Sequence, residues 1–350
     1  MPKNSKKSKK SLIGDIIFYA VFAVIIVFLF VFFISPRFMG NKKSYGKYEN
    51  AISSKEWMTL IGDDVLLNEI SIPGTHDSAT QFVQYAYFSK CQTRSIKDQL
   101  DMGYRYLDIR LAIDADAGKL KFMHGFAGCK VGNRRSDAKL YLDSVIQDCY
   151  KFLDDNPGET IIFVAKKDHG DQTIAEFQEK LASYIDEQPE KWFTENRIPQ
   201  IGEVRGKLVL ARRYDDEASL GEEKSGLNLV WTEQGNHEIA EISYELNEQK
   251  NGLEICIQDR YKYDADDKWA AFTSAIDNVL LSGEKSDSSD VYITFLSTNG
   301  DTKFGHPIKY AIPLNKKFWA YEMQSDKNYG WIILDYATTE LAQKVYMTNF

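Results

Sequence analysis

From Trp57 to the C-terminus, short apolar runs rich in β-branched residues alternate with amphipathic stretches, and this alternation restricts the fold more than any other property of the chain. The strand-like runs are Glu69–Ile72, Tyr104–Ile113, Lys119–Met123, Ile161–Ala165, Leu208–Ala211, Leu227–Trp231, Leu253–Ile257, Val291–Leu296 and Trp331–Leu334. Helical periodicity falls between several of them, at Leu140–Asp154, Ile174–Glu187, Lys268–Leu281 and Thr339–Met347. Strands joined through helices build a parallel sheet, so the chain reads as α/β. No repeat of fixed period and no break in composition divides residues 51–350, which read as one body able to bury a full core.

Residues able to do chemistry close these runs. Asp108 and Arg110 end one, His124 another, and Lys166, Arg213, Asp259 and Asp335 end four more. Polar side chains at the carboxyl ends of successive strands are the pattern of a (β/α) barrel whose site lies on its C-terminal face. An open sheet would give the same pattern.

The run Ile16–Ile34 has 19 residues without a charge, glycine or proline. At ~1.5 Å per residue a helix of that length reaches roughly 28 Å, close to the hydrocarbon thickness of a bilayer. It is longer and bulkier than a signal-peptide core, and Ser35, Pro36, Arg37 and Phe38 do not make a small-residue cleavage site. The chain therefore divides into a basic tail (1–15), a transmembrane anchor (16–34), a polar linker (35–50) and a body (51–350). Five lysines precede the span, while Arg37, Lys42, Lys43 and Lys47 follow it. That small excess favours a cytoplasmic N-terminus and an extracellular body.

Charge is split the same way. Residues 1–49 hold nine basic and two acidic residues, a net +7, so a chain of net −8 leaves −15 on the remainder. An acidic body disfavours nucleic-acid binding, which depends on cationic contacts to phosphates. Cys91, Cys129, Cys149 and Cys256 are widely spaced and form no CxxC pair, which argues against structural zinc and a dense disulfide scaffold. One or two bridges and buried free thiols both fit.

Three motifs carry the chemistry. In Ser71–Ser78 (SIPGTHDS), Pro73 and Gly74 read as a tight turn that lifts His76 and Asp77 above the sheet end. Histidine serves as a general base near neutral pH with little tuning; a capping Asp beside a chance His is the plainer alternative. Along Tyr104–Leu111 (YRYLDIRL), strand alternation puts Tyr104, Tyr106, Asp108 and Arg110 on one face. Asp108 and Arg110 then form either a structural ion pair or an Arg aimed at a phosphate. Phe122–Gly125 (FMHG) adds a second His at a strand end. A base, an acid and a phosphate clamp are the parts that in-line phosphoryl transfer needs without a metal. No HxxxH pair occurs, and Asp114–Gly118 lacks the bidentate Glu of a calcium loop, with Gly125 in its place.

Taken in order, SIPGTHDS, YLDIR, MHG, IIFVAKKD, RGKLVLARRY, ICIQDRYKY and WIILDY make the chain similar to the bacterial-type phosphatidylinositol-specific phospholipase C (X-domain) family, from about Trp57 onwards. The resemblance implies an imperfect TIM (β/α) barrel behind a single N-terminal transmembrane helix. It implies attack of the inositol 2-hydroxyl on phosphorus, releasing diacylglycerol and inositol 1,2-cyclic phosphate. By the same resemblance His76 is the general base, Asp335 fixes its tautomer, and His124 is the general acid supported by Asp77. Arg110 would stabilise the phosphate oxygens, with Asp108 orienting or balancing that cluster. Inositol recognition falls to Lys166, Arg213, Asp259 and Tyr261, the last by stacking on the ring. Lys167 and Arg212 adjoin two of these, and a one-residue shift would exchange them.

Arg110 stands where acidic residues hold calcium in the eukaryotic branch, so no metal and no cofactor is expected. The expected partners are phosphatidylinositol or a related inositol lipid and its membrane, with no nucleic acid and a monomeric body. Phe82, Tyr85, Tyr87 and Phe88 lie where the family has a mobile segment at the lipid interface, and aromatic residues suit that zone. His169, His237 and His306 read as loop residues. Two other classes compete: a lipid-headgroup-binding module without turnover, and a glycerophosphodiesterase. The complete set of two His, one Arg and two supporting carboxylates speaks against the first. No cluster of acidic metal ligands at the strand ends supports the second.

Overall fold

The structure, a computed structural model, describes residues 9–35, 40, 44–49, 51–221, 223–235, 245–248, 254–282, 290–300 and 305–350. Leu253 and His237 therefore lie outside the described residues. The strands are β1 (Ile72–Thr75), β2 (Tyr106–Asp114), β3 (Lys119–His124), β4 (Ala127–Gly128), β5 (Ile161–Lys167), β6 (Trp192–Phe193), β7 (Leu208–Arg212), β8 (Leu227–Asn228), β9 (Glu245–Glu248), β10 (Glu254–Gln258), β11 (Val291–Phe295) and β12 (Trp331–Leu334). Parallel ladders run β6–β7–β5–β2–β1–β12–β11–β10, and β9 adds an antiparallel edge beside β10. The first residues of β7 pair with β6 and its last with β8, so those two short strands together flank β7. Among the described residues no ladder joins β9 or β10 back to β6 or β8, so the barrel is open on that side. This is the imperfect (β/α) barrel expected.

Helices are α1 (Lys9–Leu29), α2 (Ala86–Ser89), α3 (Ile96–Asp101), α4 (Leu142–Asp155), α5 (Ile174–Ile185), α6 (Ile201–Val204), α7 (Ala265–Ser282), α8 (Pro307–Ala320) and α9 (Thr339–Tyr346). Alternation along β2 sorts the layers. Tyr106 joins Ile162, Val164, Val209, Ile293 and Ile333 inside the barrel. Leu107, Ile109 and Leu111 join Phe163, Leu210, Leu153 and Phe177 in the layer beneath α4 and α5. Asp108 and Arg110 share the parity of Tyr106 and so project inward. All four cysteines are buried, and none is in a disulfide among the described residues.

Two expectations need correction. The first strand is Ile72–Thr75 rather than Glu69–Ile72, so Pro73 and Gly74 are extended residues inside it and not a turn. β1 runs between β12 and β2, and a Cβ on Gly74 would come within 2.4 Å of Ile333 and 2.9 Å of Tyr106. Close strand approach, not turn geometry, requires the glycine. Arg110 likewise does not end its strand. β2 continues to Asp114 because residues 111–114 pair antiparallel with β3, which makes β3 a hairpin arm rather than a barrel stave.

α1 is followed by a wider helical turn at Phe30–Ile34. The stretch Ile13–Phe32 has a mean hydropathy of 2.9, none of it is buried, and it alone among the described helices is long and apolar enough to cross a membrane. Part of the expected linker rests on the body: the rings of Tyr45 and Tyr48 lie 6.5 Å from that of Trp319, and Ser44 Oγ donates to Glu340 Oε1 at 2.7 Å.

Candidate active site

His76 follows β1 directly, and Asp335 follows the neighbouring β12, so one parallel ladder sets both side chains side by side. His76 Nδ1 lies 2.8 Å from Asp335 Oδ1, and its Nε2 lies 2.9 Å from Arg110 Nη2. A guanidinium can only donate, so Nε2 must accept. Nδ1 therefore carries the proton and donates it to Asp335, while the Nε2 lone pair accepts from Arg110 at the cavity wall. Burial pulls the His76 pKa down, but the Asp335 charge and hydrogen bond outweigh it and hold the imidazole above 6.5. The Asp335 carboxyl is raised in turn, chiefly by its burial. Gln92 Nε2 donates to the carbonyls of His76 and Leu334 at 2.9 and 2.8 Å, which ties the two strand ends together.

Asp77 has a left-handed backbone (φ 46°). Asx residues tolerate that region, and Asp108 holds it there: Asp77 N donates to Asp108 Oδ2 and Ser78 N to the Asp108 carbonyl, both at 3.0 Å. The Asp77 carboxylate thereby lies 2.5 Å from His124 Nδ1, 3.2 Å from Arg110 Nη1 and 3.7 Å from His76 Nε2. Burial opposes its ionisation, but Arg110 and His124 prevail and hold the carboxyl far below the ordinary range. Arg110 also donates to Asp108 Oδ2 from Nε at 3.1 Å, and its Nη2 lies 3.0 Å from the same oxygen. The two carboxylates overcome its desolvation, so the guanidinium stays charged.

His76, Arg110, His124 and Asp335 line a cavity of about 410 Å³ at the C-terminal end of the barrel. On its other wall Arg213 stacks over Trp231, 3.7 Å from the ring centroid, and reaches towards Asp108 at 3.6 Å and Asp259 at 3.7 Å. Lys166 Nζ lies 3.2 Å from Glu233 Oε1, and burial together with Glu233 pushes the Tyr261 hydroxyl up to about 12. Lys166 and Arg213, not Lys167 and Arg212, line the cavity; Lys167 caps the Gly170 carbonyl and Arg212 the Tyr214 carbonyl. Every expected site residue except Asp77 and Asp108, which lie just behind the wall, touches this one cavity.

Sequence reading missed Glu233, Trp231, Asp168, Cys91 and Gln92. Asp168, which accepts from the Gly125 amide, had a signal in its position directly after the basic pair ending β5. Glu233 and Gln92 lie on irregular segments and had none. His169 and His306 lie in loops, as expected. Among the described residues two donor clusters could approach a metal ion, His76–Cys91–Asp335 and Asp77–Cys91–His124. Arg110 already places a fixed cation against both, which repels a divalent ion.

Two histidines, each beside a carboxylate, and a half-buried guanidinium between them lie together on the barrel's C-terminal face, an arrangement able to take up and give protons beside an anion. Residues 67–214 match the profile of the phosphatidylinositol-specific phospholipase C X domain. A curated 1-phosphatidylinositol phosphodiesterase of Staphylococcus aureus (strain Newman) is 28% identical over 302 residues, covering 81% of this chain and 89% of the relative. Its namesake from Listeria monocytogenes is 25% identical over 347 residues, covering 93% and 96%. Among solved structures, a phosphatidylinositol-specific phospholipase C from S. aureus superposes with a TM-score of 0.68 at 25% identity, over 85% of this chain and 98% of that one. The L. monocytogenes enzyme shares the fold with a TM-score of 0.62 at 22% identity. Residues 67–214 thus carry the match to a phosphatidylinositol-specific phospholipase C X domain, and over most of its length the chain is similar to bacterial enzymes of that kind.

Proposed function

We propose that the protein cleaves phosphatidylinositol to diacylglycerol and inositol 1,2-cyclic phosphate, at the membrane in which its own N-terminal helix is anchored. One observation carries the chemistry: His76 Nε2, forced into its acceptor form between Asp335 and Arg110, faces the cavity that also holds His124. His76 takes the proton of the inositol 2-hydroxyl as that oxygen bonds to phosphorus. His124, its Nδ1 against Asp77, gives a proton to the glycerol oxygen as the second P–O bond breaks. Arg110 meets the charge that grows on the non-bridging oxygens, and Asp108 keeps its fork in place. Proton and charge balance without a metal, so activity is expected to survive chelation.

Lys166, Arg213, Asp259 and Tyr261 suit the inositol ring: two cations and an acid for its hydroxyls, and an aromatic face to stack on it. Support for the membrane setting comes from Ile13–Phe32 and from exposed apolar residues of the body. Among the described residues of the body, the large exposed ones include Tyr85, Phe88 and Phe126, of which Phe88 and Phe126 line the cavity and Tyr85 lies 5.5 Å from Phe126 between ring centroids. Hydrolysis of phosphatidylinositol vesicles by the full chain, with and without EDTA, tests the reading. Headgroup binding without turnover would instead make it a binding module.

A further inference from the structure

A second cavity, of about 400 Å³, opens beside the active-site rim. Its walls are Phe32 from the end of the apolar helix, Tyr85 and Lys90 from the rim segment, and Lys130, Arg134 and Arg135 from the loop after β4. Four cations thus face one cavity on a body whose net charge is −15, and no carboxylate lines it. Lys90 is 5% exposed, and no acid pairs with it among the described residues. Arg134 and Arg135 are exposed and make no ion pair there, and Asp137 accepts from the Arg134 backbone amide. Lys130 Nζ caps the Arg135 carbonyl, which draws the loop over the cavity.

The remaining wall belongs to the membrane segment. Phe32 packs on Phe28 one turn earlier in the helix, on Tyr87 at 4.7 Å between ring centroids and on Phe88 at 5.8 Å. The end of the helix therefore docks on α2, and the cavity sits at the depth where the helix leaves the hydrocarbon. A largely buried lysine with no acid partner among the described residues, beside two exposed arginines, suits an anion, and the anion found at that depth is a lipid phosphate. Exposed Tyr85 and Phe126, with rings 5.5 Å apart, flank the opening as interfacial aromatics do.

We propose that this cavity is a second lipid site, which takes the phosphate headgroup of an anionic, non-substrate lipid from the membrane that the N-terminal helix spans. Occupancy seats the rim on the bilayer and supplies locally the attraction that the acidic body lacks. The site rests on the anchor reading but not on the catalytic one.

The test uses the full chain in nanodiscs of phosphatidylcholine with or without phosphatidylglycerol. A photoactivatable phosphatidylglycerol should label the 130–135 segment of the wild type, and the double variant R134E/R135E should lose that label by about tenfold. Phosphatidylinositol cleavage should rise several-fold with phosphatidylglycerol in the wild type and not in the variant, while both cleave a soluble short-chain substrate equally. Lys90→Met, which keeps the stem and removes the charge, should repeat the loss. Equal labelling of wild type and variant overturns the site. So does binding of inorganic phosphate without any response to phosphatidylglycerol, which would make it a free-anion pocket. Loss of phosphatidylinositol cleavage in the wild type, with labelling intact, sinks the catalytic reading and leaves the site standing.

Discussion

At the residue scale the account turns on His76. Asp335 holds its pKa above 6.5, and a base works only when unprotonated. The acid limb of kcat/KM should therefore fall on the alkaline side of pH 6.5, activity rising as pH rises through it. Asp335→Asn removes the charge that sustains that pKa, so the limb should move to lower pH while kcat drops on the order of 10²-fold or more. A pH–rate profile of both proteins measures this; an unmoved limb would dissociate Asp335 from the base. His76→Ala and His124→Ala should each cost on the order of 10²–10⁴ in kcat with an unchanged melting temperature. The residues with chemistry in sequence, His76, Asp77, Arg110 and His124, were legible because motif and strand parity announced them. Glu233, Gln92 and Cys91 were not, since irregular loops bring them in from segments with no periodicity.

Elements show where local reading fails. Strand ranges from β2 onward agree with hydrophobic alternation to within a few residues for the long strands. Two-residue pieces such as β4 and β6 are too short to have a pattern. β1 was misplaced because proline and glycine usually punctuate; only its neighbours reveal that Gly74 is a packing residue. α8 went unread because Pro313 interrupts its periodicity, even though Pro307 opens it favourably. Gly74→Ala should therefore cost about 1–3 kcal/mol by overpacking between Ile333 and Tyr106, read from urea denaturation, with activity lost alongside because His76 is two residues on. A stability unchanged within error would mean that β1 can shift away from its neighbours.

For the whole molecule, the split of +7 and −15 becomes a statement about address. A body of that sign is repelled by anionic surfaces overall, yet its proposed substrate is an anionic lipid. An anchor resolves this through effective concentration rather than attraction. Removing residues 1–43, which spares the Tyr45 and Tyr48 contacts with Trp319, should weaken action on bilayers far more than on a short-chain soluble substrate. Equal effects on both would make the N-terminal segment structural instead. The central claim, metal-independent cyclising cleavage by the His76–His124 pair, is tested most directly by ³¹P NMR of the products formed from phosphatidylinositol in excess EDTA. A transient five-membered cyclic phosphate resonance, present with the wild type and absent with His76→Ala, is the expected result. Inositol 1-phosphate formed with no cyclic intermediate, or a reaction that stops on chelation, would contradict it.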